Sequence, residues 1–182
     1  MKRRVFYSFH YQKDNWRVSQ IRNIGAIEGN KIATDNEWEE VKRQGDLAIR
    51  YWINENLENR SCLIVLIGEE TSTRKWVLYE IEEAWNRGMG VLGVYIENLK
   101  DNKGNFSQRG KNPFEKFNFQ DDSFIPFSCI VPILDPEKFE MESFFTDLGG
   151  NSSYNIIGKN LEQYIEKAIE KRKGLGNIIK NV

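Results

Sequence analysis

Three short apolar runs, each bounded by polar or glycine-containing sequence, organise the chain. Val5-Phe6-Tyr7-Ser8-Phe9, Cys62-Leu63-Ile64-Val65-Leu66-Ile67 and Val91-Leu92-Gly93-Val94-Tyr95-Ile96 are apolar at successive rather than alternate positions. Strands of a parallel sheet covered on both faces have this pattern. Between the runs the period changes. Ile49, Trp52, Ile53 and Leu57 recur at helical spacing and predict a helix over about Asp46–Glu58, with a shorter helix near Glu37–Arg43 and a break at Gly45. Val77, Ile81, Ala84 and Trp85 predict another from about Thr73 to Asn86, stopped before Gly88. The Thr- and Ser-rich link before it suits helix capping. A last helix is predicted over about Asn160–Lys173, with Leu161, Tyr164, Ile165, Ala168 and Ile169 on one face and Gly174 at its end.

Other segments carry weaker patterns. His10–Asn15 reads as a polar loop, Trp16–Ile24 as a poorly amphipathic helix, and Gly25–Asp35 as irregular. Asn98–Lys111 is a long polar loop of the kind that is often functional. Ser128–Ile133 predicts a fourth strand, placed at an edge by Pro132. Phe139–Gly150 fits no element, and the tail from Leu175 is expected to fray. The alternation of strands and helices predicts an α/β fold: a parallel sheet with helices on both faces and right-handed crossovers.

A length of 182 residues with 40% hydrophobic content suits one domain with its own core. A formal charge of -1 creates no field that would recruit nucleic acid or an anionic membrane. No apolar run is long enough to span a bilayer. The basic start Met1-Lys2-Arg3-Arg4 is followed by too short an apolar stretch for a secretory leader. Cys62 and Cys129 lie in separate apolar runs and read as buried free thiols of a cytoplasmic protein. One histidine, His10, and no cysteine cluster argue against a zinc or iron site, so no metal is expected. Walker loops are absent, and Gly88-Met89-Gly90 follows a helix, the reverse of a dinucleotide fingerprint.

Candidate chemistry concentrates near the second strand. Trp76-Val77-Leu78-Tyr79-Glu80 sets an aromatic and a carboxylate one helical turn apart, in a helix that follows the strand almost at once. That junction lies at the carboxyl edge of an open α/β sheet, where ligands bind. Glu80 borders the apolar stripe of its helix, whereas Glu82 points outward. Ser8 and Phe9 end the first strand at the same edge. Phe6 and Phe9 read equally as core residues, Trp76 as packing or as a stacking platform, and His10 as a loop residue or a participant. A carboxylate in this position can stabilise a cationic sugar transition state.

Three motifs together carry a resemblance: Arg4-Val5-Phe6-Tyr7-Ser8-Phe9-His10-Tyr11, the Trp76-x-x-x-Glu80 helix, and Gly110-Lys111-Asn112-Pro113-Phe114. In sequence and order they resemble bacterial TIR-like proteins, and among these the TIR proteins of the Thoeris antiphage system. The likeness runs from Lys2 to about Phe117. It implies a single TIR-like domain over 1–174, with a divergent segment at about 118–155 and a tail over 175–182. It further implies a flavodoxin-like sheet and cleavage of NAD at the nicotinamide–ribose bond. By the resemblance Glu80 is the catalytic residue, and Phe6 and Ser8 line the pocket; Phe9 and Trp76 are expected to join them in substrate binding. NAD is then a substrate and no cofactor is needed. The product is expected to be a cyclic ADP-ribose-type or related nucleotide that activates a separate effector protein, with a phage-derived trigger and a homo-oligomer as further expected partners. The alternative is a non-catalytic TIR-type interaction or nucleotide-binding module. The Asn98–Lys111 loop is expected to help close the site. Asp35 and Trp38 are further pocket candidates, and Asn112 either orients substrate or caps a turn.

Overall fold

The computed structural model describes residues 3–24, 35–121, 124–139 and 152–181, with backbone alone for 35–38. Strand β1 (Val5–Ser8) leads into helix α1 (Tyr11–Arg22); helices α2 (Asp35–Arg43) and α3 (Asp46–Leu57) precede β2 (Cys62–Ile67), α4 (Lys75–Asn86) and β3 (Gly90–Tyr95). Then come β4 (Phe117–Phe119), the short helix α5 (Phe127–Ile130), β5 (Ile133–Leu134), the long helix α6 (Ser153–Arg172) and β6 (Ile178–Lys180). Strands β1, β2, β3 and β5 form a parallel sheet in that order, with Val5 opposite Cys62, Cys62 opposite Gly90, and Gly93 opposite Ile133. The arrangement is α/β, as the pattern predicts, and flavodoxin-like, as the resemblance implies.

Every residue of β2 and β3 is buried, which explains their unbroken hydrophobic runs: alternate side chains enter cores on opposite faces. Leu63, Val65, Ile67 and Val91 pack with Ile49, Ile53 and Leu57 of α3 and Val77, Ile81, Ala84 and Trp85 of α4. On the other face Val5, Tyr7, Ile64, Leu66, Leu92 and Val94 meet Val18 and Ile21 of α1 and Ile157, Leu161, Ile165 and Ala168 of α6. Helix α6 comes so near β3 that a Cβ on Gly90 would lie 2.6 Å from the Ile169 nitrogen. Only glycine permits that approach.

The structure corrects several expectations. Helix α1 starts at Tyr11, so most of the supposed loop is helical. Its periodicity is masked because two of its buried residues are charged: Asp14 and Arg17 pair at 3.3 Å beneath the surface. Ser128–Ile133 is no strand. Its first half lies in α5, and the edge strand is confined to Ile133 and Leu134; Pro132 still accepts a ladder bond from the Gly93 N–H through its carbonyl. Cys129 is therefore exposed, not buried, while Cys62 is buried as expected. Nor does the tail fray over its whole length: β6 pairs antiparallel with β4. Helix α6 begins about two turns earlier than the pattern predicts. Finally, the Thr- and Ser-rich link does not cap α4, whose first flanking residue is Arg74. Thr71 instead ties off β2, donating to the Leu66 carbonyl and accepting from the Gly68 N–H. The expected irregular segment Gly25–Asp35, apart from the Asp35 backbone that starts α2, the side chains of Asp35 and Trp38, and nearly all of Phe139–Gly150 lie outside the described residues.

No helix among the described residues is long and apolar enough to cross a membrane.

Candidate functional site

In a parallel sheet all strands end at one edge, and there the helices that follow bring their first turns together. Ser8 is the last residue of β1. Glu80 lies at the sixth position of α4, on the side that packs towards the sheet. The two meet: the Ser8 hydroxyl donates to Glu80 Oε2 at 2.5 Å. Both side chains are buried, at 1% and 7% exposure. No cation approaches the carboxyl group closely enough to form an ion pair among the described residues. Burial accordingly pushes the Glu80 carboxyl up to about 8, with the Ser8 hydrogen bond pulling in the opposite direction.

Glu80 forms part of the wall of an open cleft of about 410 Å³, together with Phe9, His10, Tyr11, Gln12, Lys42, Thr73, Arg74, Lys75, Trp76 and Val77. The first residues after β1 form one wall, and the start of α4 forms another. Phe9 stacks on Tyr11 with ring centres 5.7 Å apart. Trp76 packs edge-on against Tyr79, and the Lys75 ammonium sits 4.6 Å from its ring centre. Of the residues singled out from sequence, Glu80, Phe9 and Trp76 thus line one cleft, and Ser8 holds the carboxylate from behind. Phe6 shares the face of β1 that carries Ser8, yet its ring packs edge-on against Trp52 at 6.3 Å and is not part of the cleft wall.

The Asn98–Lys111 loop does not line this cleft. Arg17 bonds to the carbonyls of Leu99 and Asn105, and the Ser107 N–H donates to the Glu97 carbonyl, so the loop is held across other strand ends. Just beyond it, Asn112 caps a turn: the side-chain oxygen accepts from the Phe114 N–H at 3.0 Å. Sequence reasoning missed the cationic side of the cleft. Lys42, Arg74 and Lys75 are surface-like in composition, and only the fold brings α2 and the start of α4 to one opening.

A second buried acidic group lies further along the same edge. Glu97 follows β3 and Asp135 follows β5; both converge on Arg109 with the more exposed Glu137. The three carboxylates place ligand atoms within 4.8 Å of one another, but the guanidinium occupies the centre and also lies over the Tyr95 ring at 3.7 Å.

The family model described as Thoeris protein ThsB, TIR-like domain, matches residues 6–101. A Bacillus cereus (strain MSX-D12) protein named "Putative cyclic ADP-D-ribose synthase ThsB1" is 38% identical over 125 residues. That alignment covers 66% of this chain and 65% of the relative. The family match spans β1 to the end of β3, including both Ser8 and Glu80, and takes in more than half of the 182 residues. The chain belongs to the ThsB TIR-like domain family.

Proposed function

We propose that this chain cleaves NAD at the nicotinamide–ribose bond and converts the remainder into a cyclic ADP-ribose-type or related nucleotide signal. The observation that carries the reading is the buried Glu80 carboxyl, held by Ser8 and open on one side to a cleft with aromatic and cationic walls. The name of the Bacillus cereus relative supports the same class of product.

The chemistry asks little of a general acid. When the C1′–N bond breaks, its electron pair goes to the pyridinium nitrogen and nicotinamide leaves neutral. Positive charge passes to the ribose as an oxocarbenium-like state. A carboxylate beside the ribose binds that state more tightly than the ground state, and this difference lowers the barrier. Glu80 suits the role because, among the described residues, none forms an ion pair with it. The pyridinium of the arriving substrate favours its ionised form, and burial strengthens the attraction. Capture by water gives ADP-ribose, whereas capture by another atom of the same ADP-ribose gives a ring; exclusion of water favours the second course. In this reading the protein acts in the cytoplasm, and its product activates a separate effector protein during phage infection, with a phage-derived trigger and self-assembly controlling output.

Incubation with NAD tests the proposal. Nicotinamide release that disappears in Glu80→Gln supports it, and equal turnover by the two proteins overturns it. Mass spectrometry of nucleotides from phage-challenged cells carrying either version then identifies the product.

A further inference from the structure

Both walls of the Glu80 cleft are braced at one glycine. Gly68 directly follows β2; its N–H donates to Thr71 Oγ1 at 2.9 Å, and its carbonyl accepts from the Thr71 N–H. Thr71 is wholly buried. Its carbonyl accepts from the Arg74 N–H, and the Arg74 carbonyl accepts from the Leu78 N–H in α4. A run of hydrogen bonds thus leads from Gly68 into the helix that carries Glu80. Asp14 of α1 presses on the same glycine: a Cβ on Gly68 would lie 2.8 Å from Asp14 Cγ and nearer still to Oδ2. Gly110 presses on it too, since a Cβ at that position would lie 2.8 Å from the Gly68 carbonyl carbon and nearer still to its oxygen. Neither glycine has a positive φ, so what these positions require is room rather than a left-handed backbone.

We infer that Gly68 is the pivot of the cleft, and that Asp14 and Gly110, wedged against it, are positioning residues that set where α4 starts and so where Glu80 stands relative to Ser8. This deepens the proposed function and rests on that reading of the cleft. Asp14 belongs to the first turn of α1, where its N–H donates to the His10 carbonyl at 3.0 Å. That turn continues the wall built by Phe9, His10, Tyr11 and Gln12. The opposite wall begins a few residues after Gly68, at Thr73 and Arg74. The Asp14–Gly68 contact therefore joins the two walls behind the cleft. A displacement of Gly68 passes through Thr71 and Arg74 to Glu80, and a misplacement of about 1 Å is enough to lower a rate severely.

The wedges are themselves held by the Asn98–Lys111 loop. Asp14 is only 2% exposed, and its Oδ1 accepts from Arg17 at 3.3 Å. Arg17 also donates to the carbonyls of Leu99 at 2.9 Å and Asn105 at 3.2 Å, which belong to the loop. Gly110 lies at the loop's far end. It is flanked by Arg109, which is fixed by Glu97 and Asp135, and by the turn that Asn112 caps. The loop thus acts on Gly68 twice, through the Arg17–Asp14 pair and directly through Gly110. It governs the cleft from behind without lining it.

The test follows the Glu80 carboxyl by NMR in the intact protein with carbon-13-labelled glutamate, the signal being identified by its loss in Glu80→Gln. Burial is the main cause that holds this group near 8, so a shifted α4 exposes it and lowers its titration midpoint. Gly110→Ala should lower the midpoint by about one pH unit or more and reduce kcat for nicotinamide release by about tenfold or more, with a smaller change in KM. Asp14→Ser shortens the other wedge while leaving a hydroxyl for Arg17. It should move the midpoint the same way, and it carries the test if Gly110→Ala does not fold. Gly104→Ala is the control: this glycine lies in the same loop at a φ of 84°, so alanine strains the loop there, yet a Cβ would meet nothing within 4 Å. Its midpoint should match the parent's. A midpoint unmoved in the folded Gly110→Ala and Asp14→Ser proteins, or moved equally by Gly104→Ala, overturns the pivot. If nicotinamide release still depends on Glu80 in that case, the proposed function stands without it. Conversely, a midpoint that moves as expected in a protein whose NAD turnover ignores Glu80 keeps the pivot and removes Glu80 from the chemistry.

Discussion

Two glutamates buried at the same sheet edge are treated in opposite ways. Glu97 faces Arg109, which also binds Asp135 and Glu137. Glu80 faces one serine hydroxyl and an open cleft. Burial raises both carboxyl groups, but at Glu97 a backbone N–H and Arg109 counteract it, and at Glu80 only Ser8 does. The contrast separates an acid that the protein has neutralised for its own integrity from one left to be neutralised by something else. A buried carboxylate with a resident cation holds loops in place. One without a cation among the described residues fits the proposed function, in which a nicotinamide dinucleotide brings the positive charge with it.

The largest expected effect is on turnover. Glu80→Gln should lower nicotinamide release by on the order of 100-fold or more, measured as kcat with saturating NAD. The same substitution should leave the fold intact or strengthen it. Glu80 has a folded-state value above that of an unfolded chain, so its contribution to stability is greatest at acid pH and is lost as pH rises through about 8. At pH 8 Glu80→Gln should therefore resist urea better than the parent, by ~1 kcal/mol or more. Arg109→Met should do the reverse. It strands Glu97 and Asp135 without their cation and should cost about 2–3 kcal/mol in the same urea experiment, below the range for a fully buried pair because Arg109 is partly exposed. Equal stability changes for the two variants would erase the distinction drawn between the two acids.

Smaller effects sharpen it. If the ionised form of Glu80 is the active one, kcat/KM should rise with pH and level off above about 8, since this ratio reports groups of the free enzyme. Ser8→Ala removes the hydrogen bond that, among the described residues, favours the carboxylate. The rise should then move to higher pH, with activity at pH 7 reduced by roughly tenfold or less. A profile unmoved by Ser8→Ala would mean that the hydroxyl serves packing alone.

The strands and helix α4 were legible because their burial is written in apolar residues. Leu63, Ile64 and Val65 enter opposite cores in turn, and Val77, Ile81 and Ala84 repeat at helical spacing. Ser8 and Glu80 could both be placed at one edge from sequence because a parallel sheet ends all its strands there, and the helix that follows the neighbouring strand β2 starts beside the end of β1. What stayed hidden depends on charge or on distance along the chain. Helix α1 buries Asp14 and Arg17, so its inner face looks polar. Arg109 meets Asp135 across a separation of 26 residues, and no local pattern announces that meeting. Lys42 and Arg74 reach one cleft from different parts of the chain. The tail is polar enough to look loose, yet Ile178 is wholly buried against the aromatic cluster around Phe127.

That last contact has a practical side. The Trp85 indole donates to the Gly176 carbonyl, and the Asn86 side chain grips both the N–H and the carbonyl of Ile178. Trp85 and Asn86 are the final residues of the helix that bears Glu80. A version trimmed before Gly176, or one with a bulky fusion pulling on the strand beyond it, would loosen the foot of that helix while leaving every cleft residue in the gene. Loss of turnover in such a version would report a slackened mooring rather than missing chemistry.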